Sequence, residues 1–133
     1  MTIGWSKRNI SRPARKLTLM EARATAKYVR VSAQKARLVT DLIRGKSAGE
    51  AISILRFTKK HVTHEIEKVL RSAIANAEQK HENVDVDRLV VSRAYVNEGP
   101  RAKRIRPAPM GRAYRYQRRM SHITVAVSDE AKA

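Results

Sequence analysis

The chain has 133 residues and 15.1 kDa, enough for one domain around a single core. It carries 29 Lys and Arg against 12 Asp and Glu, a net charge of +17; self-repulsion on that scale is usually compensated by a polyanion. The absence of cysteine excludes disulfides, thiolate metal sites and cysteine nucleophiles and suits a reducing cytosol.

Nucleic acid is a better polyanion for this composition than a membrane surface. Binding to headgroups calls for a basic amphipathic helix with bulky apolar residues, and only one Trp and one Phe are present. No apolar run approaches the ~20 residues that span a bilayer. The basic N-terminus has no apolar h-region of a secretory signal.

Residues Met1 to Leu19 hold Lys7, Arg8, Arg12, Arg15 and Lys16 and no acid. Pro13 interrupts any helix, so residues 1–20 read as a flexible basic tail that orders on a polyanion. A transit-like or solubility leader is the alternative. Residues 21–133 form the single domain.

From Glu21 to Val31, Ala22, Ala24, Ala26 and Tyr28 alternate with Arg23, Thr25 and Lys27. Period two predicts a first strand. Ser32 then offers an N-cap for a helix over Ala33–Arg44, with Ala36, Val39, Ile43, Leu38 and Leu42 as its apolar stripe and Gly45 as its left-handed stop. Lys35 and Arg37 remain for solvent or RNA. Ser47-Ala48-Gly49-Glu50 is a capping box opening a shorter helix, whose buried side is Ala51, Ile52 and Leu55. A third helix is predicted over Lys60–Lys80, because Val62, Ile66, Val69, Leu70, Ala73 and Ala77 recur at spacings of three and four. Glu67 and Arg71 form a favourable i,i+4 pair on it. The small-residue run Ser72–Ala77 lets a sheet approach closely.

His81–Asp87 reads as a polar turn into a second strand, Leu89–Val96. A third strand, His122–Val127, sets Ile123, Val125 and Val127 on an apolar face and His122, Thr124 and Ala126 on the other. Helices and antiparallel strands in separate blocks predict an α+β domain. The expected architecture is three helices on a small antiparallel three-stranded sheet, with a long protruding β-hairpin arm.

That arm, Asn97–Gln117, is the least ordinary stretch. No acid occurs between Glu98 and Asp129, while Arg101, Lys103, Arg104, Arg106, Arg112, Arg115, Arg118 and Arg119 crowd the connection. If both strands continued outward for about ten residues, they would reach ~30 Å beyond the body. A two-stranded arm with that charge does not stabilise itself in water. Its cations suit phosphates, and Tyr114 and Tyr116, interleaved with Arg115, suit stacking on splayed RNA bases. Pro107, Pro109 and Gly111 mark the tip.

Catalytic chemistry has no comparable signature. There is no phosphate-binding Gly-rich loop, zinc-protease helix or nucleophile elbow, and nothing assembles a general acid and base. His61 and His64 lie three apart and could share a metal if helical, but no third ligand accompanies them. Asp85 and Asp87 could share a strand face as magnesium ligands, and serve equally as polar residues entering a strand. The expectation is a non-enzyme without a cofactor or bound metal.

The runs VRVSAQKARLVTDLIRGKSAGEAISIL, VLRSAIANAEQKH, YVNEGPRAKRIRPAPMGRA and SHITVAVSD, in this order from about Ala22 to Asp129, resemble ribosomal protein L-twenty-two of the large subunit. The resemblance implies a cytoplasmic ribosomal protein, monomeric when free, whose partners are large-subunit ribosomal RNA, neighbouring ribosomal proteins and the nascent peptide. It implies a body near the exit of the peptide tunnel, and a hairpin threaded through RNA whose tip forms part of the tunnel wall beside the macrolide site. Carried over, the tip spans Arg101–Arg112, with Ala102, Lys103, Arg104, Gly111 and Arg112 at its wall. Many bacterial members read Met-Lys-Arg where this chain has Ala102-Lys103-Arg104, a departure that bears on an apolar wall contact at 102. The competing assignment is an architectural DNA-binding protein that inserts a basic β-arm with a Pro tip into the minor groove. Known proteins of that type are dimers with a G-F-G-x-F stretch before the arm, which is missing here.

Overall fold

The computed structural model describes residues 21–80 and 84–129. The basic tail expected over 1–20 and the start of the turn expected at His81 lie outside them. In chain order come β1 (Glu21–Val29), α1 (Ala33–Ile43), α2 (Ala48–Phe57), α3 (Thr63–Lys80), a 3-10 turn (Val86–Arg88), β2 (Leu89–Pro107), a tip turn (Pro109–Gly111) and β3 (Ala113–Asp129). The sheet is antiparallel with order β1-β3-β2, so the last strand is central. The expected α+β fold is realised, with the arm made by β2 and β3 running on past the body.

The core lies between the helices and one face of the sheet. Ile66, Leu70 and Ala73 of α3 and Ile123, Val125 and Val127 of β3 are fully buried. Each large apolar side chain among them contributes roughly 1.5–3 kcal/mol relative to exposure. All six positions predicted for the third helix are buried, but Val62 precedes the helix itself. Thr63 explains the later start: its Oγ1 and its N–H both donate to the Lys60 carbonyl, at 2.6 and 3.2 Å, closing a turn first. Glu67 accepts from Arg71 at 2.6 Å and also faces Arg56 at 3.4 Å. Asn76, in the small-residue run, donates to the Arg23 carbonyl of β1 at 3.0 Å.

Four local expectations are corrected. Leu38 and Leu42 are 56% and 48% exposed; α1 instead buries Ala33, Ala36, Val39, Thr40 and Ile43. Both sets have helical spacing, and the smaller one wins because it lets the helix axis come close to the sheet. Tyr28 leaves the buried face of β1, at a register shift between Ala26 and Val29 where its φ is +60°. Its N–H donates to Nδ1 of His122 at 3.1 Å, and the two rings meet edge to face. Ser32 occupies the N-cap position of α1, yet its hydroxyl makes no cap bond and its carbonyl accepts from Ala36. Finally, Thr124, Ala126 and Ser128 on the other face of β3 are also buried. A central strand is sheltered by its neighbours: Glu21 of β1 and Arg93 of β2 pair at 3.6 Å, and the Thr25 and Thr124 hydroxyls meet at 3.2 Å.

The helices also close the outer edge of β2, whose unpaired backbone would otherwise invite association. Val91 exchanges backbone bonds with Gly45 and Lys46, and Ser47 bridges to Val90. Gly45 turns the chain there with φ +78°, as expected of a left-handed stop. Farther along, Arg44 donates to the Ala94 carbonyl at 2.7 Å and Arg37 to the Val96 carbonyl at 3.1 Å. Arg37 is therefore a clamp between α1 and the sheet, not a free surface cation. Its contact at Val96 lies in the body, one pair of residues short of the base of the arm.

Candidate nucleic-acid interface

The arm starts where three strands become two. Ser121 pairs with Val29 on one side and Glu98 on the other, and both ladders change register at this level. Gly99 fits here because a Cβ would stand 3.0 Å from the Met120 carbonyl oxygen. Beyond it the ladder resumes as Arg101↔Arg119 and runs to Pro107↔Ala113. Seven residues per strand at ~3.3 Å give a ribbon of roughly 20 Å. The chain reverses through Ala108–Arg112, where the Ala108 N–H donates to the Arg112 carbonyl at 2.9 Å. Met110 and Gly111 adopt φ +61° and +69° to make that turn, a conformation that costs a non-glycine residue about 1–2 kcal/mol.

Register sorts the side chains by face, because directly paired residues point the same way. One face carries Ala102, Arg104 and Arg106 opposite Arg118, Tyr116 and Tyr114. Both tyrosines lie on it, 59% and 39% exposed, and Arg118 sits 5.4 Å from the Tyr116 ring centre. The other face carries Arg101, Lys103 and Ile105 opposite Arg119, Gln117 and Arg115. The first combines cations with rings that stack against planar bases, and the second, which has no ring, is suited to phosphates alone.

All eight expected cations are exposed, and they are brought together in one projection. Among the described residues only Arg101 has a carboxylate partner, Glu98 at 3.2 Å, and it also reaches Gln117 at 3.3 Å. Arg101 and Arg119 stand directly opposite each other, an arrangement that weakens a ladder unless a counter-charge separates them. The ribbon therefore has neither a core nor internal charge compensation.

The residues expected at the tip fall in two places. Gly111 and Arg112 are in the turn, but Ala102, Lys103 and Arg104 are in the ladder, paired with Arg118, Gln117 and Tyr116. Reading by residue type missed Met110, which is 95% exposed at the apex, and Ile105, 68% exposed on the phosphate-type face. Large apolar side chains inside a polar, cation-rich loop were the available signal. The aspartates considered as metal ligands are not on a strand: Asp85 Oδ1 accepts from the Asp87 N–H at 3.1 Å in the 3-10 turn, and Asp85 faces Arg88. His61 likewise precedes α3 while His64 is inside it.

Residues 24–128, which include the whole arm and nearly all of the described body, match the family described as Ribosomal protein L22p/L17e. The chain belongs to this family. It is similar to the large ribosomal subunit protein uL22 of Solibacter usitatus (strain Ellin6076), at 63% identity over 111 residues, covering 84% of this chain and 98% of that protein. The protein of the same name from Halothermothrix orenii (strain H 168) is 59% identical over 111 residues, covering 84% and 97%. Both matches span almost the full relatives, so the arm of this L22p/L17e chain is a family feature and not an insertion.

Proposed function

We propose that the arm is embedded in folded ribosomal RNA, its tyrosines against unpaired bases and the cations of both faces along phosphates. As a member of the L22p/L17e family the chain is a structural constituent of the large ribosomal subunit in the cytoplasm, and not an enzyme. Family membership also decides against the DNA-arm alternative. The observation that carries the embedding is the exposed ribbon of eight cations with a single carboxylate partner among the described residues. Such a ribbon gains its order from an external polyanion, and RNA supplies both the phosphates and the planar bases. The tip turn, with Met110, Gly111 and Arg112, then reaches deepest and contributes to the wall of the peptide tunnel, where it meets the nascent chain. The body stays nearer the subunit surface among neighbouring ribosomal proteins, and the free protein is a monomer.

Phosphate contacts release counterions, so affinity for isolated ribosomal RNA falls steeply with salt, each contact adding about 0.7–0.9 to the slope of log K against log salt. Substituting Arg118→Gln and Arg119→Gln together is expected to flatten that slope by about 1.4–1.8. Titrations across a salt series check this. An unchanged slope would mean that these side chains point to solvent in the complex.

A further inference from the structure

We propose that the inner angle between body and arm is a second RNA seat, in which one stretch of phosphate backbone is gripped from both sides. This rests on the reading of the arm as bound to ribosomal RNA. The angle encloses an open crevice of about 990 Å³. Its body wall presents Arg30 just after β1, Lys35 in the first turn of α1 and Lys60 in the turn before α3. Its arm wall presents Arg104 and Arg118 from the tyrosine face and Arg119 from the other, next to the register break. No Asp or Glu lines it.

A solvated surface spreads its cations and intersperses acids. Here segments distant in the sequence converge on one concavity with six like charges, and concave walls of one sign focus the potential between them. None of the six takes part in an ion pair among the described residues, where the arginines and lysines that do pair are Arg44, Arg56, Lys68, Arg71, Arg88, Arg93 and Arg101. A single phosphate would meet one or two of these groups and leave the rest repelling each other. A run of phosphates continuous with the RNA along the arm meets both walls at once. Leu38, whose exposure the core does not explain, also lines the crevice and offers an apolar contact to a ribose or base. Body and arm then act as one grip, closed by RNA at the level where both ladders break register, and the RNA in the crevice fixes the direction of the arm.

The chain has no cysteine, so a hydroxyl-radical source can be tethered at a single introduced thiol. Ser32 and Gln117 line opposite walls and are uncharged, so Ser32→Cys and Gln117→Cys remove no cation from the crevice; Arg112→Cys places the source at the tip turn. Each full-length variant is assembled into large subunits and the ribosomal RNA is mapped for cleavage. The proposal expects the Ser32 and Gln117 tethers to cut one overlapping run of nucleotides, separate from those cut from Arg112. Disjoint cuts, or cleavage of a neighbouring protein and no RNA from Ser32, would overturn the shared seat while cuts from Gln117 and Arg112 uphold the embedded arm. No RNA cleavage from any of the three would overturn the embedding as well.

Discussion

Val69→Asp is expected to abolish cooperative unfolding, whereas removal of the entire arm is expected to preserve it. Val69 is 5% exposed within the helix–sheet core, and an unpaired carboxylate there costs several kcal/mol whether it ionises or takes up a proton. That approaches the whole stability of a typical domain, about 5–15 kcal/mol. The arm makes no comparable contribution: from Arg101 to Arg119 no side chain is fully buried. The register indicates where to cut. Glu98 pairs with Ser121, so replacing Gly99–Met120 by Asn-Gly closes the pair with a two-residue hairpin turn. Thermal melts followed by circular dichroism should then show a sharp transition for the arm-less protein and none for Val69→Asp. A molten arm-less protein would mean that the ribbon helps to hold the body.

Deletion of Ala102–Arg104 is expected to change what the tip does without preventing assembly, and to do so more severely than deletion of Ala102–Lys103 alone. Side chains alternate faces with period two. Removing an odd number from one strand brings Arg101 opposite Tyr116, moving it from the phosphate-type face to the tyrosine face. Removing two brings it opposite Gln117 and leaves it on its own face. Both deletions shorten the ribbon, but the three-residue one also scrambles its faces near the base. Arg115, Arg118 and Arg119 still anchor the arm, so large subunits should form with either. Macrolide binding and the response to stalling nascent peptides should shift, on the order of tenfold for the three-residue deletion, about 1.4 kcal/mol. Gly111→Asp should act in the same direction, since it forces a side chain into the positive-φ turn and adds an anion at the apex. Measuring both properties on reconstituted subunits checks this. If every variant assembles and neither property moves, the tip is not at the tunnel wall.

Most of the body was legible in the residues because its strongest signals are local. The run from Val62 to Ala77 has one apolar face and no competing one, and it lies almost wholly in α3, the longest helix. Ser47 and Glu50 announced the second helix, where the Glu50 N–H does donate to the Ser47 hydroxyl at 3.4 Å. Helix α1 was harder, because Leu38 and Leu42 are larger than the residues that face the sheet. Which of two overlapping stripes is buried depends on how near the helix comes to the sheet, and spacing does not encode that distance. The limits of the arm were hidden for a related reason. Gly99 and Pro100 resemble a turn, but they form an irregularity in a ladder that resumes at Arg101, and only the pairing partner Met120 reveals it. The place of Ala102–Arg104 in the tip came from the family resemblance, and pairing with Arg118, Gln117 and Tyr116 sets them in the ribbon below the turn. The cations of Arg30, Lys35 and Lys60 gave no sign of acting with the arm, since nothing in their positions along the chain indicates a shared crevice.

The central claim is that ribosomal RNA supplies the order that the arm does not supply for itself. Amide hydrogen exchange, compared between the free protein and the assembled large subunit, tests it most directly. In the free protein, amides of Arg101–Arg119 should exchange rapidly while those of Ile66–Ala77 and Ile123–Val127 are protected, because an exposed two-stranded ladder opens far more readily than a core. In the subunit, protection should extend along both strands to the turn at Ala108–Arg112. Arm amides that exchange as fast in the subunit as in the free protein would contradict it.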